Sequence, residues 1–415
     1  MTLPPRRSLH DSGSPFHRQW RQLDEWLRQH RSFWQPAPFM DPEPAWTRDL
    51  PGMQQWLEQL DERACARYED DPGALVAALE EWLPGLVDRE RLIAVPDWRS
   101  DAEASLAFTL PETRATDMPG RKRLQSGAFA AALAPLQVPV LDWCCGKGHL
   151  ARTLAPHCPG PVTGLEWNAG LVADGNRLAT RFGDAVTLRC EDVMVADPGW
   201  PDRVHGVALH ACGDLHRKLM RDAVARTQPR VSFSPCCYHL TGALPYRPLS
   251  SLVSGDPGRL ELESNDLRLA VQETVTAPAR VRAQTALVSQ WRLAFDGLQR
   301  QVRRVNEYLP LPSHPKHLVN EGFAAFCRWA ARQKGIELPG NVSLEEWLDH
   351  GARRLQEVRQ QELVRHLFRR PMELWLVLDY AIYLEEAGYE VRLGTFCDRE
   401  LTPRNLLLDA TRGGN

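Results

Sequence analysis

The stretch VPVLDWCCGKGHLARTLAPHCPGPVTGLEWN, at residues 138–168, decides the fold of this 415-residue chain. An apolar run ends in Asp142, a turn with glycines at 146 and 148 follows, and a helical segment leads to a second apolar run that ends in Glu166. This order of strand, glycine turn, helix, strand and acid is how an α/β sheet holds a nucleoside. Glycine lets the backbone come close to a ligand, and the acid accepts hydrogen bonds from both ribose hydroxyls. The stretch therefore predicts a nucleoside-binding unit.

The charge of the turn indicates which nucleoside it suits. A dinucleotide fingerprint has three glycines and places a pyrophosphate at the helix N-terminus; Ala151 stands in the third position, which that fingerprint tolerates. Asp142 would repel a pyrophosphate but suits a cation. S-adenosyl-L-methionine carries an ammonium and a sulfonium and no phosphate, so the electrostatics favour it over NAD. An ordinary two-glycine turn without a ligand is the alternative, and the acids on both sides of the turn argue against it.

Composition sets few limits on partners. The chain has 50 basic and 53 acidic residues, for a net charge of −3, so nothing global indicates nucleic acid or membrane. The start, MTLPPRRSLHDSGS, lacks the apolar segment of a signal peptide, and no apolar run approaches the ~20 residues of a membrane span. Ten cysteines without a regular framework indicate reduced thiols. We expect a soluble, cytoplasmic protein with no membrane partner.

Helical and strand-like segments alternate along the chain. Residues 15–95 have helical spacing, with tryptophans that either fill a helical core, the favoured interpretation, or offer stacking platforms for bases. From residue 124 short apolar runs alternate with helices, which predicts a parallel sheet covered on both faces. The predicted strands cover residues 138–142, 162–166, 185–190, 204–210, 230–234, 389–396 and 404–409. The turn from Asp398 to Pro403 is so short that it allows only antiparallel pairing.

These segments predict an α/β fold with a Rossmann-like sheet of seven strands, the last antiparallel. That strand count and order are those of a methyltransferase sheet. We expect a helical N-terminal domain at 1–115, a core with strands 1–5 at 120–245, a helical insertion after strand 5 at 246–370, and the completed core at 371–412. In the insertion, a run of arginines either forms a solvated face or contacts phosphates; the run comprises Arg292, Arg300, Arg303 and Arg304.

Residues that can carry chemistry follow three of the predicted strands. Ligands of open α/β sheets lie at the carboxyl ends of the strands, and these ends are rich in cysteine and histidine. They carry Cys144, Cys145 and His149 after strand 1, His210, Cys212 and Asp214 after strand 4, and Pro235, Cys236, Cys237, Tyr238 and His239 after strand 5. We expect these strands to be neighbours, so that their ends meet in one cleft.

Three chemical interpretations of this cleft compete. In the favoured one, a mostly neutral polar wall positions a substrate nucleophile, and His210 or His239 is the base because imidazole titrates near neutrality. In the second, a thiolate of Cys236 or Cys212 adds to a pyrimidine ring. In the third, cysteine and histidine bind a metal, but adjacent cysteines are poor chelates compared with CxxC spacing, so we predict no obligate metal. Buried, inert residues are the alternative without a function.

Two further positions bear on the chemistry. Asp192, after the third strand, either accepts the adenine amino group or caps a helix. An Asp/Asn-Pro-Pro-aromatic tetrad after strand 4 would indicate methylation of an exocyclic amine, whereas residues 210–214 read HACGD, which argues against it. The candidate catalytic residues are His210, Asp214, Cys236, Cys237, Tyr238 and His239.

The blocks LDWCCGKGHLA, GLEWN, ALHACGDL and SPCCYH, with the ending TFCDRELTPRNLLLD, resemble a family of S-adenosylmethionine-dependent methyltransferase-like proteins. It includes the ribosomal-RNA-adenine-dimethylase-domain-containing and the glutathione S-transferase C-terminal-domain-containing proteins. The CCYH block is also similar to one in the tRNA 2′-O-methyltransferase that acts on the acceptor stem. The resemblance covers residues 124–245 and 372–412.

The resemblance implies a class I methyltransferase fold that binds S-adenosyl-L-methionine and methylates an acceptor. The expected cofactor contacts are Asp142, Cys144, Gly146, Gly148, Glu166, Trp167, Asn168, Asp192 and Val193. We expect a structured RNA as the substrate and partner. A methyltransferase of protein or small molecules, or a non-catalytic nucleoside-binding regulatory module on the same fold, are the alternatives.

Overall fold

The computed structural model describes residues 13–195, 197–272 and 279–413. The chain forms two compact units. The first holds Met1–Leu27, Arg91–Thr276 and Arg370–Asn415, and the second holds Arg28–Glu90 and Ala277–Arg369. Residues 1–12, on which most of the expectation about a signal peptide rests, lie outside the described residues.

The first unit is built on a seven-stranded sheet. Its strands are β1 (Val140–Trp143), β2 (Val162–Glu166), β3 (Val186–Cys190), β4 (His205–Cys212), β5 (Arg230–Cys236), β6 (Tyr389–Thr395) and β7 (Leu406–Arg412). They lie in the order β3-β2-β1-β4-β5-β7-β6, with β1 to β5 parallel and β7 antiparallel to both of its neighbours. The predicted Rossmann-like class I methyltransferase sheet of seven strands, the last antiparallel, is confirmed.

The observed strand boundaries differ from the predicted ones by a few residues. β1 begins at Val140 rather than Val138, since Pro139 has no N–H to donate to a neighbouring strand. β4 continues to Cys212 and β5 to Cys236, each two residues beyond its predicted end. Both thiols therefore belong to strands and not to loops.

Helices make up most of the remaining structure. In the described ranges they are α1 (Pro15–Gln29), α2 (Arg31–Trp34), α3 (Ala45–Asp49), α4 (Pro51–Glu58), α5 (Glu62–Asp70), α6 (Pro72–Leu79), α7 (Arg89–Ile93), α8 (Ala102–Ala107), α9 (Gly120–Leu133), α10 (His149–Leu154), α11 (Ala169–Phe182), α12 (Asp214–Ala225), α13 (Ser251–Ser254), α14 (Ser264–Leu269), α15 (Ala279–Arg303), α16 (Leu318–Glu321), α17 (Phe323–Lys334), α18 (Leu344–His366) and α19 (Arg369–Glu386). Short 3₁₀ turns cover Pro84–Asp88, Glu112–Arg114 and Ala155–His157.

Helix α19 belongs to the core of the first unit. Its residues from Pro371 to Ile382 are buried without interruption. The indole of Trp375 donates a 2.8 Å hydrogen bond to Asp24, and its ring lies 5.7 Å from the ring of Trp20. Trp20 is fully buried, so the interpretation of this tryptophan as a core residue is confirmed.

A buried polar network crosses four neighbouring strands. Asp409 on β7 accepts hydrogen bonds from Arg230 at 2.8 Å and from Ser232 at 2.6 Å, both on β5. Arg392 on β6 donates to the same carboxylate at 2.9 Å, and the ring of His205 on β4 lies 2.6 Å from the Ser232 hydroxyl. Burial alone would raise the pKa of Asp409, but the hydrogen bonds from Arg230 lower it. The network therefore needs an ionised Asp409 and a neutral His205.

Stability is expected to fall as the pH drops below about 6.5, because His205 resists protonation in the folded chain. Burial, and then the charge of Arg230, lowers its pKa to about 3. An unfolded imidazole titrates near pH 6.5, so below that pH the unfolded chain binds the extra proton, at a cost to stability of about 1.4 kcal/mol per pH unit. The contribution is complete above pH 6.5 and is lost progressively towards pH 3.

Urea unfolding at pH 7.5, 5.5 and 4.5 measures this change in the free energy of unfolding. In His205→Asn the dependence of that free energy on pH should be smaller by about one proton. An equal dependence in the variant and the unaltered chain would contradict the assignment.

The second unit has its own helical core. Trp291, Phe295 and Leu298 on α15 are nearly fully buried and pack in one cluster with Phe326 on α17. The apolar side of α15 therefore packs into this cluster.

The arginines of α15 bond to acceptors within the second unit. Arg300 forms a 2.8 Å ion pair with Asp296, Arg292 donates to the Pro312 carbonyl at 2.8 Å, and Arg303 donates to Gln299 at 2.6 Å. A solvated face and contact with phosphates stay the two open interpretations of these arginines.

The two units group the chain differently from the predicted domains. The predicted domain at 1–115 is divided, since residues 28–90 cluster with the second unit and the rest with the first. The insertion at 246–370 is also divided, near residue 277. The predicted domain boundaries therefore stay predictions. Among the helices described between residues 13 and 413, none has the length and hydropathy of a membrane-spanning segment.

Candidate cofactor and active site

The turn after β1 depends on two glycines. Gly146 and Gly148 both have left-handed backbone, with φ of 57° and 68°. A Cβ at Gly148 would approach the Leu188 side chain to 2.9 Å, so no larger residue fits there without a shift. A Cβ at Gly146 would meet no atom within 4 Å. Gly146 therefore leaves open space beside the turn, as the approach of a ligand to the backbone requires.

Asp142 faces the helix that follows the turn. Its side chain is buried, and Oδ2 accepts a 3.0 Å hydrogen bond from the backbone N–H of Ala151, the third residue of α10. Burial, with a smaller contribution from Glu166, raises its pKa to about 7. The carboxyl therefore stabilises the N-terminus of α10, a structural role that the sequence argument did not assign to it. Direct contact of Asp142 with a cationic ligand stays a prediction.

Glu166, at the end of β2, is held by two backbone groups. Oε2 accepts a hydrogen bond from Gly146 N–H at 3.1 Å, and Oε1 accepts one from Asn168 N–H at 3.0 Å. Each carboxylate oxygen can accept two hydrogen bonds, so each keeps a place for a further donor. This fixed pair of acceptors matches the two adjacent hydroxyls of a ribose.

Trp167 and Asn168 follow Glu166; the first has an exposed ring and the second caps a helix. Trp167 is 74% exposed, which is unusual for so large an apolar side chain. Asn168 is the N-cap of α11, and its side-chain oxygen accepts from Gly170 and Leu171 at 2.9 and 3.2 Å. The indole is thus available for stacking on a base, whereas the Asn168 amide oxygen is occupied.

The end of β3 lies against the end of β2. Glu191 N–H donates to the Glu166 carbonyl at 3.0 Å. Asp192 is exposed and its Oδ1 accepts from Met194 N–H at 2.9 Å, while Val193 is buried. Asp192 therefore keeps a carboxylate oxygen at the same edge as Glu166. Its contact with an adenine amino group stays a prediction.

Left-handed, non-glycine residues mark the three strand ends that carry the cysteines and histidines. Cys144 and Cys237 directly follow β1 and β5, with φ of 59° and 49°, and His210 lies two residues before the end of β4, with φ of 65°. Such strained backbone is concentrated at functional sites because the surrounding structure must hold it in place. The strands β1, β4 and β5 are neighbours, as predicted.

Cys144 remains a neutral thiol. Burial first, and then the negative charges of Glu166 and Asp142, raises its pKa to about 12. A neutral thiol next to the turn adds no charge to a ligand site and is a poor nucleophile.

His210 is paired with a residue that the sequence argument missed. The side-chain amide of Gln125, on α9, lies within hydrogen-bond distance of His210 Nε2. Because that amide nitrogen donates, Nε2 accepts and Nδ1 carries the ring proton; Nδ1 is buried with no hydrogen-bond partner among the described residues. Burial, and then the charge of Arg404, lowers the His210 pKa to about 4. The ring is therefore neutral at pH 7 and presents an N–H donor.

Asp214 joins the turn after β4 to the loop after β5. Its carboxylate accepts from the Thr241 hydroxyl at 3.0 Å and from Gly242 N–H at 2.8 Å. The backbone of Gly213 lies so close to Leu240 that a Cβ there would be 1.9 Å from the Leu240 carbonyl oxygen. The structure thus places Asp214 in a loop contact, and a catalytic role for it stays a prediction.

Three thiols meet where β4 and β5 end. The Sγ atoms of Cys212, Cys236 and Cys237 all lie within 4.8 Å of one another, and the first two are 3.6 Å apart. Hydrogen bonds with Cys212 and Cys236 lower the pKa of Cys237, whereas hydrogen bonds with Cys212 and Cys237 raise the pKa of Cys236. Cys237 therefore loses its proton more readily than Cys236. All ten cysteines lie in the described ranges, and each is a free thiol.

Tyr238 and His239, which follow β5, differ in exposure. Tyr238 is buried, and its hydroxyl is 3.3 Å from Glu373 on α19, so it presents no hydroxyl to a cleft. His239 is partly exposed, and its Nδ1 has no hydrogen-bond partner in the described part of the chain. Burial, and then the charge of Arg268, lowers the His239 pKa, so this ring is also neutral at pH 7.

Residues 130–243 match the family model of a methyltransferase domain. This range contains β1 to β5, the turn at Gly146, Glu166 and the three-thiol group.

Several solved structures are similar to the chain. Magnesium protoporphyrin IX methyltransferase from Synechocystis PCC 6803 with bound SAH is 11% identical, with a TM-score of 0.31, over 82% of this chain and 99% of that one. Geranyl diphosphate methyltransferase in complex with GPP and sinefungin is 20% identical, with a TM-score of 0.24, over 26% and 43%. An rRNA methylase from Streptococcus thermophilus is 11% identical, with a TM-score of 0.23, over 28% and 70%. The chain spans about half the length of the first structures that it matches.

The strand order assigns the sheet of the first unit to the methyltransferase fold, and the matched domain points to S-adenosyl-L-methionine as the cofactor.

Proposed function

We propose that the chain is a methyltransferase that uses S-adenosyl-L-methionine. The observation that carries the proposal is the Glu166 carboxylate, fixed by two backbone N–H groups with an acceptor position left on each oxygen, beside the open space at Gly146. The residues present fit the cofactor: Glu166 would hold the ribose and Trp167 would cover the adenine. When bound, the cofactor supplies a methyl group on a positively charged sulfur.

His210 and His239 have different roles towards the molecule that receives the methyl group. Gln125 occupies Nε2 of His210, so the ring donates a hydrogen bond from Nδ1. This bond orients an oxygen or nitrogen atom of the molecule that receives the methyl group. His239 is neutral at pH 7 and has an unpaired ring nitrogen, so it takes the proton that the acceptor loses. Direct attack by Cys236 on a pyrimidine is the weaker route, since its pKa is raised and its side chain is buried.

We infer a structured RNA as the acceptor. Support comes from the CCYH block at 236–239, which is similar to a block of the acceptor-stem tRNA 2′-O-methyltransferase. The HACGD sequence at 210–214 lacks the tetrad of exocyclic-amine methylation and so favours another acceptor atom. The closer kinship with the ribosomal-RNA-adenine-dimethylase-domain-containing and glutathione S-transferase C-terminal-domain-containing proteins rests on the same sequence blocks and is part of this proposal.

Transfer of tritiated methyl groups from S-adenosylmethionine to separated RNA, protein and small-molecule fractions tests the function. We expect label in RNA, reduced at least about 100-fold by His239→Asn, since general base catalysis contributes about that much. Asp192→Asn is the comparison variant, because it keeps the size of an exposed side chain. It should lower the transfer of label less than His239→Asn does. Label confined to protein or small molecules would overturn the choice of RNA. Binding of the cofactor without label in any fraction would favour the regulatory module.

A further inference from the structure

We propose that Cys212, Cys236 and Cys237 form a binding site for a thiophilic divalent ion, zinc, at the ends of β4 and β5. Three sulfur atoms within 4.8 Å of one another, two of them on neighbouring strands, form one face of a tetrahedral site. The proposal is independent of the proposed methyl transfer.

The backbone explains how two adjacent cysteines point to the same place. Successive side chains of a strand point to opposite faces of the sheet, which is why a CC pair is a poor chelate in regular structure. Here β5 ends at Cys236, and Cys237 has left-handed backbone, with φ of 49°. This reversal turns the Cys237 thiol back towards that of Cys236. Adjacent cysteines are poor chelates only where the backbone is regular, and the backbone departs from strand geometry at Cys237.

The third thiol comes from the neighbouring strand. The pairing of β4 with β5 shifts between Leu209 and Cys212, and Cys212 lies directly opposite Cys236. A zinc ion bonds to sulfur at about 2.3 Å, so two sulfurs of a tetrahedral site are about 3.8 Å apart. The distance between Cys212 Sγ and Cys236 Sγ is 3.6 Å. Binding therefore requires only small adjustments of side chains.

The fourth position of the ion is open to a ligand outside the three thiols. Cys212 and Cys237 are partly exposed, so the ion has a route to the sulfurs. A water molecule would complete the tetrahedron. Three protein ligands with an exchangeable fourth are the pattern of catalytic and not of structural zinc.

Metal analysis of the full-length protein, purified under reductant and reconstituted with zinc, tests the site. We expect one zinc per chain. Reconstitution with Co²⁺ should give the strong near-ultraviolet sulfur-to-cobalt absorption and the visible bands of a tetrahedral thiolate complex. In each of Cys212→Ser, Cys236→Ser and Cys237→Ser the zinc affinity should fall by more than about 100-fold.

Cys190→Ser is the matched control, because Cys190 is an exposed thiol that does not belong to the group. It should bind zinc as the unaltered protein does. Less than a tenth of an equivalent of zinc in the unaltered protein would overturn the proposal, as would equal affinity in the three variants or absorption spectra without sulfur ligation. A Cys212–Cys236 disulfide in the reductant-treated, zinc-supplied protein would also overturn it. These readouts need no methyl acceptor, so failure of the zinc site and failure of the methyltransferase assignment are distinguishable.

Discussion

Glu166→Gln is expected to weaken the binding of S-adenosylmethionine by about 100-fold. The carboxylate accepts from Gly146 and Asn168 and keeps one acceptor position on each oxygen for the ribose. A glutamine replaces one oxygen by an NH₂ group, which faces a backbone N–H and a ribose hydroxyl and can accept from neither. Hydrogen bonds to a charged group contribute about 1.5 to 3 kcal/mol each, and about 2.7 kcal/mol corresponds to 100-fold. Equilibrium dialysis with labelled S-adenosylmethionine measures the change.

Glu191→Gln is the control for this prediction. Glu191 lies in the loop after β3, and its carboxylate accepts from Arg189 at 2.8 Å. Its substitution changes the net charge equally but removes no acceptor at the ribose position, so affinity should change less than about threefold. Equal affinities of the two variants, with unchanged circular dichroism, would contradict the role of Glu166.

Gly213→Ala is expected to destabilise the first unit by about 3 kcal/mol or more. The added Cβ would lie 1.9 Å from the Leu240 carbonyl oxygen, and the residue has φ of 53°. Relief of this clash must move the loop after β5, which Asp214 holds through Thr241 and Gly242. Strain at such a position and a backbone clash are among the few causes of large losses of stability. The midpoint of urea unfolding should fall accordingly.

Gly183→Ala is the control for a positive φ without a clash. Gly183 has φ of 67° and ψ of 29°, whereas Gly213 has φ of 53° and ψ of −123°, and a Cβ at Gly183 would meet no atom within 4 Å. It should lose only the about 1 kcal/mol of an alanine in this conformation. Similar losses in both variants would show that the contact between Gly213 and Leu240 is not maintained.

The sequence predicts the sheet well because its signals are local. Apolar runs bounded by turns locate the strands within a few residues, and the short turn from Asp398 to Pro403 predicts the antiparallel end of the sheet. The neighbouring positions of β1, β4 and β5 follow from the fold type, so the convergence of their ends is also predictable.

The functions of individual side chains depend on geometry that a sequence pattern does not contain. Asp142, on β1, accepts a hydrogen bond from the first turn of α10. A carboxylate that faced a ligand would have the same sequence pattern, so the sequence does not distinguish the two roles. Gln125 reaches His210 from α9, a helix without any motif. The grouping of Cys236 with Cys237 depends on one left-handed residue.

Binding of labelled S-adenosylmethionine to the unaltered chain tests the central claim most directly. We expect one saturable site in the micromolar range, from which S-adenosylhomocysteine displaces the label and NAD does not, since a phosphate-free nucleoside suits the turn between Asp142 and Glu166. The absence of saturable binding, or displacement by NAD at similar concentrations, would contradict the account.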